Sequence, residues 1–194
     1  MSNIIRATVT IKGTRPILWH HFGPDAIPLE KQERSGVAGN DPEEWRKTVL
    51  MTKDRQLYVE PTYIFGMCRD AAKYTKKGRG SIQTAVAATL QVAEERVLVD
   101  RFVPEEPIPT DPEEPVYLDV RSVKNPATKG RNVRYRVAAS SGWATTFTLI
   151  FDRTVVSRAE MEAVLRDAGT LVGLADGRTV GFGRFTVESF EAAA

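Results

Sequence analysis

The chain has 194 residues, 42% of them hydrophobic and 27% charged, with a net charge of +2, enough for one domain with a sizeable core. No apolar run approaches the roughly 18 residues of a membrane helix, and MSNIIRATV lacks the basic-then-apolar layout of a secretory signal. Cys68 is the only cysteine, which excludes an intrachain disulfide and a cysteine-based metal cluster and predicts a cytoplasmic protein with no metal and no cofactor.

Residues 3–12 alternate apolar and polar and predict a strand, with Ile5, Ala7, Val9 and Ile11 on one face. Residues 13–56 read as an insertion holding one short helix near Asp41–Met51, capped by Asp41 with Pro42 at its first position. Leu57–Glu60 is a short strand ended by Pro61. A helix follows from about Thr62 to Lys76, with Ile64, Cys68, Ala71 and Ala72 as its buried stripe and lysines at its C-terminal end. Gly78 and Gly80 break the chain before a second helix over 81–93 and a strand over Arg96–Val103.

The segment 104–115 holds five prolines and five acids and is a connector. Val116–Val123 and Arg131–Ala138 form a hairpin with a long basic tip, and Ala144–Phe151 is a further strand. Ser157 with Glu160 three residues on is a capping box; Met161, Val164, Leu165 and Ala168 continue that helix, and Gly169 stands where a C′ glycine belongs. A glycine-rich loop leads into a last strand over Phe182–Phe190. With the extras removed the order is βαββαβ. That order predicts an α+β, ferredoxin-like (RRM-like) domain over 1–194: an antiparallel sheet, both helices on one face, the other face open to a partner.

Charge is segregated. Residues 121–136 hold six bases and no acid, and residues 69–79 hold five bases against one acid. The loop carries Gly169, Gly173, Gly177, Gly181 and Gly183 within fifteen residues, with Arg178 and Arg184 among them. Glycines admit left-handed turns and close backbone approach, so the loop reads either as a cradle for a phosphate backbone or as a tight turn. Two basic runs beside it favour an anionic partner. The candidate nucleic-acid contacts are Arg69, Lys73, Lys76, Lys77 and Arg79, then Lys124, Lys129, Arg131, Arg134, Tyr135 and Arg136. From the loop come Gly173, Gly177, Arg178, Gly181, Gly183 and Arg184. Of the aromatics that could stack on bases (Trp19, Trp45, Tyr63, Tyr74, Tyr135, Trp143), Tyr135 between two arginines is the best placed. His20 and His21 are the only histidines. Either could act as general base on a ribose 2′-hydroxyl, or both could pack as anchors. GFGRF leads into a strand and is not a nucleotide-binding fingerprint.

Two stretches resemble the RAMP superfamily of CRISPR-associated proteins. In LYVEPTYIFGMCRDAA, Pro61, Gly66 and Arg69 match a strand, proline and helix start with glycine and arginine; Phe65 stands where the family often has lysine. In VGLADGRTVGFGRFTV, Gly173, Arg178, Gly181, Phe182 and Gly183 match its C-terminal glycine-rich loop. The resemblance implies a non-catalytic subunit that coats single-stranded RNA, or single-stranded DNA, through backbone contacts and self-associates along the strand or with other effector subunits. It extends to small phage and prophage proteins of this outline. Repeat-cleaving relatives carry a catalytic histidine near the place of His20 and His21, and some backbone-type relatives cut RNA with an aspartate after the first strand, the place of Asp25. A metal-independent endoribonuclease and a phage structural or assembly protein are therefore the alternatives.

Overall fold

The computed structural model describes residues 3–24, 41–124 and 129–193. The main sheet is built from β1 (Ile4–Gly13), β3 (Gln56–Val59), β7 (Val97–Phe102), β10 (Ala144–Asp152) and β11 (Phe185–Ala193), in the order β11–β1–β10–β7–β3, with β6 (Gln91–Val92) also paired to β10. Every pairing is antiparallel. Without β3 and β6 the order is fourth, first, third, second, which is the split βαβ arrangement of a ferredoxin-like sheet. The fold is α+β, as the element order predicts.

Period-two alternation drives the layering. Ile5, Ala7, Val9 and Ile11 of β1 and Thr145, Phe147, Leu149 and Phe151 of β10 are buried on one face. Helices α2 (Pro61–Ala71) and α4 (Arg158–Asp167) cover that face with Ile64, Met67, Cys68 and Ala71, and with Met161, Val164 and Leu165. Among the described residues the opposite face is open: Thr8 and Thr146 are exposed on it, and Leu98 and Phe102 are 46% and 55% exposed. A second sheet, β2 (Ile17–Leu18), β9 (Arg131–Ala139) and β8 (Val116–Lys124), packs beside the first. Ile17, Val116, Val137 and Ala139 enter the main core, while Leu18, Tyr117 and Ala138 form a small cluster of their own against Phe182.

Several boundaries depart from the sequence expectation. Helix α2 ends at Ala71, and Lys76 and Lys77 lie not at a helix end but in a two-residue strand, β4, paired with β5 (Gly80–Ser81). Gly78, at φ +61°, turns that hairpin in a conformation that favours glycine. Helix α3 (Gln83–Thr89) stops there because Leu90 is extended and β6 pairs with β10. Helix α1 is only Glu44–Thr48; Asp41 accepts the Glu43 N–H at 3.0 Å from outside it, and the N-cap residue is Glu43. Gly169 does not end α4. The chain continues through a π-helical turn, Ala168–Val172, closed by Gly173 at φ +89°. Gly169 is small for another reason: a Cβ there would stand 2.2 Å from the Phe185 carbonyl oxygen. The last strand begins at Phe185, not Phe182, since residues 178–180 form a 3-10 turn. Parts of the 13–56 stretch belong to the body of the fold: Ile17, Leu18, Trp19 and Trp45 are at most 5% exposed.

Candidate nucleic-acid interface

The glycine-rich loop adds itself to the second sheet. The Asp176 N–H donates to the Leu18 carbonyl at 3.1 Å, and the Gly183 N–H donates to the Pro16 carbonyl at 2.7 Å. Gly173 N–H bonds Ala168 O, Leu174 N–H bonds Gly183 O, and the N–H groups of Gly181 and Phe182 bond within the turn. These donors are spent on the loop's own shape. Gly183, at φ +69°, has the Leu174 carbonyl oxygen 2.0 Å from its would-be Cβ; Gly181, at φ +95°, has nothing within 4 Å. Gly183 is a packing requirement, whereas Gly181 leaves an open surface. Gly177, at φ +70°, opens the 3-10 turn.

The loop lies along one face of α2. Arg178 Nη1 reaches Asp70 Oδ2 at 3.3 Å, and Arg69 pairs with the same carboxylate at 3.0 Å. Tyr63 and Gly66 continue that face at helical spacing. Burial, then Glu60 and Asp176, push the Tyr63 hydroxyl up to about 12. A Cβ on Gly66 would meet nothing within 4 Å.

The basic hairpin divides into two halves. Through the middle of the ladder the arginines are held by carboxylates. Arg136, 7% exposed, spans Asp119 at 3.2 Å and Asp176 at 2.7 Å, tying hairpin to loop. Arg121 forks onto Asp119, and this bonding raises the arginine's pKa. Arg134 pairs with Glu44, which also accepts the Tyr135 N–H at 3.2 Å. Toward the tip, Lys124 and Lys129 are exposed and form no ion pair among the described residues, and Arg131 lies across the ladder from Lys124. Periodicity could have revealed one of these pairs, since Asp119 and Arg121 share a strand face; Glu44 and Asp176 are remote in sequence and gave no local signal.

His20 Nε2 stands 3.3 Å from Glu44, and His21 Nδ1 stands 3.1 Å from the Tyr63 hydroxyl and 3.9 Å from Glu60. One ring nitrogen of each is thus engaged. Asp25 lies outside the described residues. Lys73 stacks on Tyr74, Lys77 pairs with Glu160 at 3.4 Å in the first turn of α4, and Lys76 and Arg79 are exposed on the same small hairpin. The loop leaves from the other end of α4, so these cations form a separate patch. Trp19, Trp45 and Trp143 are core residues. Arg184 is half-buried and its Nη1 has no hydrogen-bond partner among the described residues.

A cleft of about 380 Å³ opens between the β1–β2 turn, β8 and the loop, lined by Arg15, Tyr117, Arg121, Val180, Gly181 and Phe182 among others. None of the helices described is long and apolar enough to cross a membrane.

No protein-family model matches the sequence, and no curated protein matches it. Among solved structures the chain is similar to a chain in the cryo-EM structure of Type III-B Cmr-beta bound to cognate target RNA, at 12% sequence identity and a TM-score of 0.47. The match covers 97% of this chain and 60% of that one, so the chain spans about three fifths of the length of that neighbour.

Proposed function

We propose that this chain is a RAMP-like subunit that holds single-stranded nucleic acid, RNA foremost, by its phosphates and without chemistry of its own. The observation that carries the reading is the division of charge on the β8–β9 hairpin. Its inner arginines are neutralised by Asp119, Glu44 and Asp176, while Lys124 and Lys129 at the tip are left to solvent. Ion pairs at mid-ladder tie the hairpin to α1 and to the loop, and its outer cations lie beyond them. Arg178 adds a further cation, paired among the described residues with a partly exposed Asp70. Phosphate contacts hold a strand without reading sequence, so affinity depends on length and salt and little on base order. Side-by-side occupancy of a long strand by several copies belongs to the same reading, with the sheet edges β3 and β11 at either end of the sheet.

The test is fluorescence anisotropy with a labelled 20-nucleotide oligo(U). Substituting Lys124, Lys129 and Arg178 together by Ala removes two exposed cations and one half-buried one, and we expect binding at low salt to weaken at least about tenfold, at roughly one kcal/mol or less per contact. The melting temperature should change little, since substitutions away from the core shift stability by about 0.5 kcal/mol or less each. Unchanged binding would make the basic tip a solvated surface and remove the basis of the proposal.

A further inference from the structure

The cleft between the β1–β2 turn, β8 and the glycine-rich loop has a construction that the strand-holding surface does not explain. Arg121 at its wall is fixed on two sides. Its edge is bonded to Asp119, with Nε 2.7 and 2.9 Å from the two carboxylate oxygens. One face of its guanidinium lies 4.6 Å over the Phe182 ring. Phe182 in turn packs on Leu18, Tyr117 and Ala138. A surface arginine ordinarily samples many rotamers; this one is held in one plane, so a ligand stacking on its free face loses little side-chain entropy on binding. The side chain is still 42% exposed, which leaves that face available.

Arg15 lines the same cleft. It is exposed and makes no ion pair among the described residues. With Arg121 and Arg136 it sets three cations against two carboxylates, Asp119 and Asp176, so the neighbourhood has a positive charge to spare. At the lip, Val180 is 73% exposed and Gly181 has nothing within 4 Å of its missing Cβ. An aliphatic side chain left in water beside two cations is a surface for an apolar edge. The volume, about 380 Å³, falls in the range of small-molecule sites, about 300–1,000 Å³.

We propose that this cleft binds one nucleoside phosphate: the base stacked on the Arg121 guanidinium, the phosphate drawn by Arg15, and the sugar edge against Val180. A planar base and an anion a few ångströms apart match a rigid stacked cation beside a free one. The nucleotide comes from one of two sources, a unit of a bound strand, in which case the inference rests on the reading above, or a free mononucleotide.

The experiment compares wild type with Arg15→Ala and Val180→Glu. Both sites are exposed, so both variants should fold, as a thermal melt will verify. Each protein is titrated with AMP by calorimetry and with labelled oligo(U) by anisotropy. The expected result is that both variants lose about fivefold or more in oligo(U) affinity, whether or not AMP alone binds. If wild type binds AMP but no strand, and the variants lose AMP, the strand reading falls and the cleft is a site for free nucleotides. If both variants bind oligo(U) and AMP as wild type does, the cleft inference is overturned while the strand reading stands. If wild type binds neither ligand, both fall.

Discussion

A methyl group added at Gly183 would meet the Leu174 carbonyl oxygen at 2.0 Å, at a φ of +69°; one added at Gly66 would meet nothing within 4 Å, in an ordinary helical turn. The two glycines therefore answer to different constraints. Gly183→Ala forces backbone apart and should destabilise by about 2 kcal/mol or more in urea denaturation. Gly66→Ala removes a helix-interior glycine that packing does not require, and should stabilise by roughly 0.8–1 kcal/mol. Gly66 lies on the α2 face that runs beside Arg178, so the same substitution should weaken oligo(U) binding in a protein that has become more stable. A Gly66→Ala variant that binds as wild type does would show that no strand approaches α2. The sequence makes glycine visible at both places, but not which of them the fold demands. That depends on a carbonyl nine residues away in one case and on empty space in the other. Arg136 carries the same lesson. Read in its run it is one of six bases, yet Asp119 and Asp176 turn it into an internal tie.

At the scale of elements, local chemistry was legible where it was complete within a few residues. The capping box forms as its spacing predicts: the Ser157 N–H donates to Glu160 Oε2 at 2.8 Å, and the Glu160 N–H to Ser157 Oγ at 3.2 Å. Ser157→Ala should cost about 1 kcal/mol. The Ser157 N–H, with help from Lys77, holds the Glu160 carboxyl below its ordinary value of 4.5. A lowered pKa in the folded state contributes stability above the unfolded value, and that contribution is lost as pH falls through the folded one. The gap in urea midpoint between wild type and Glu160→Gln should therefore be present at pH 7 and close in acid below the ordinary carboxylate range. A gap that persists in acid would mean that the carboxylate is not the source of the effect. Where an element's end depends on a distant partner, the sequence misled. Leu90 leaves the helix because Gln91 and Val92 pair with β10, and α4 overruns Gly169 into a π-helical turn that places Gly173 against the Phe182 and Gly183 carbonyls. The periodicity of 81–93 cannot register a strand from sixty residues downstream.

For the whole molecule, the βαββαβ order was enough to predict an antiparallel ferredoxin-like sheet, because short connections and right-handed crossovers leave few alternatives. It was not enough to place the second sheet, whose strand β2 is two residues long and is recognised only by the partner it finds in β9. The core that results buries Cys68 completely, and burial pushes its thiol up to about 12. Native protein should therefore resist a thiol reagent at pH 8, and labelling should require opening of the α2 face; rapid labelling in native buffer would contradict this packing. The candidate surface is likewise a property of the whole. As proposed it takes in the outer hairpin, a loop and a helix face whose charges are far apart in sequence, and carboxylates neutralise half of the basic run. The proposed binding is electrostatic and sequence-independent. The most direct measurement is the affinity of wild-type protein for labelled oligo(U) across a salt series. If three to five phosphates are neutralised, the plot of log affinity against log salt should fall with a slope of about −2 to −3.5, and a mixed-sequence strand of the same length should give nearly the same line. A flat plot, or no binding at the lowest salt, would contradict the account.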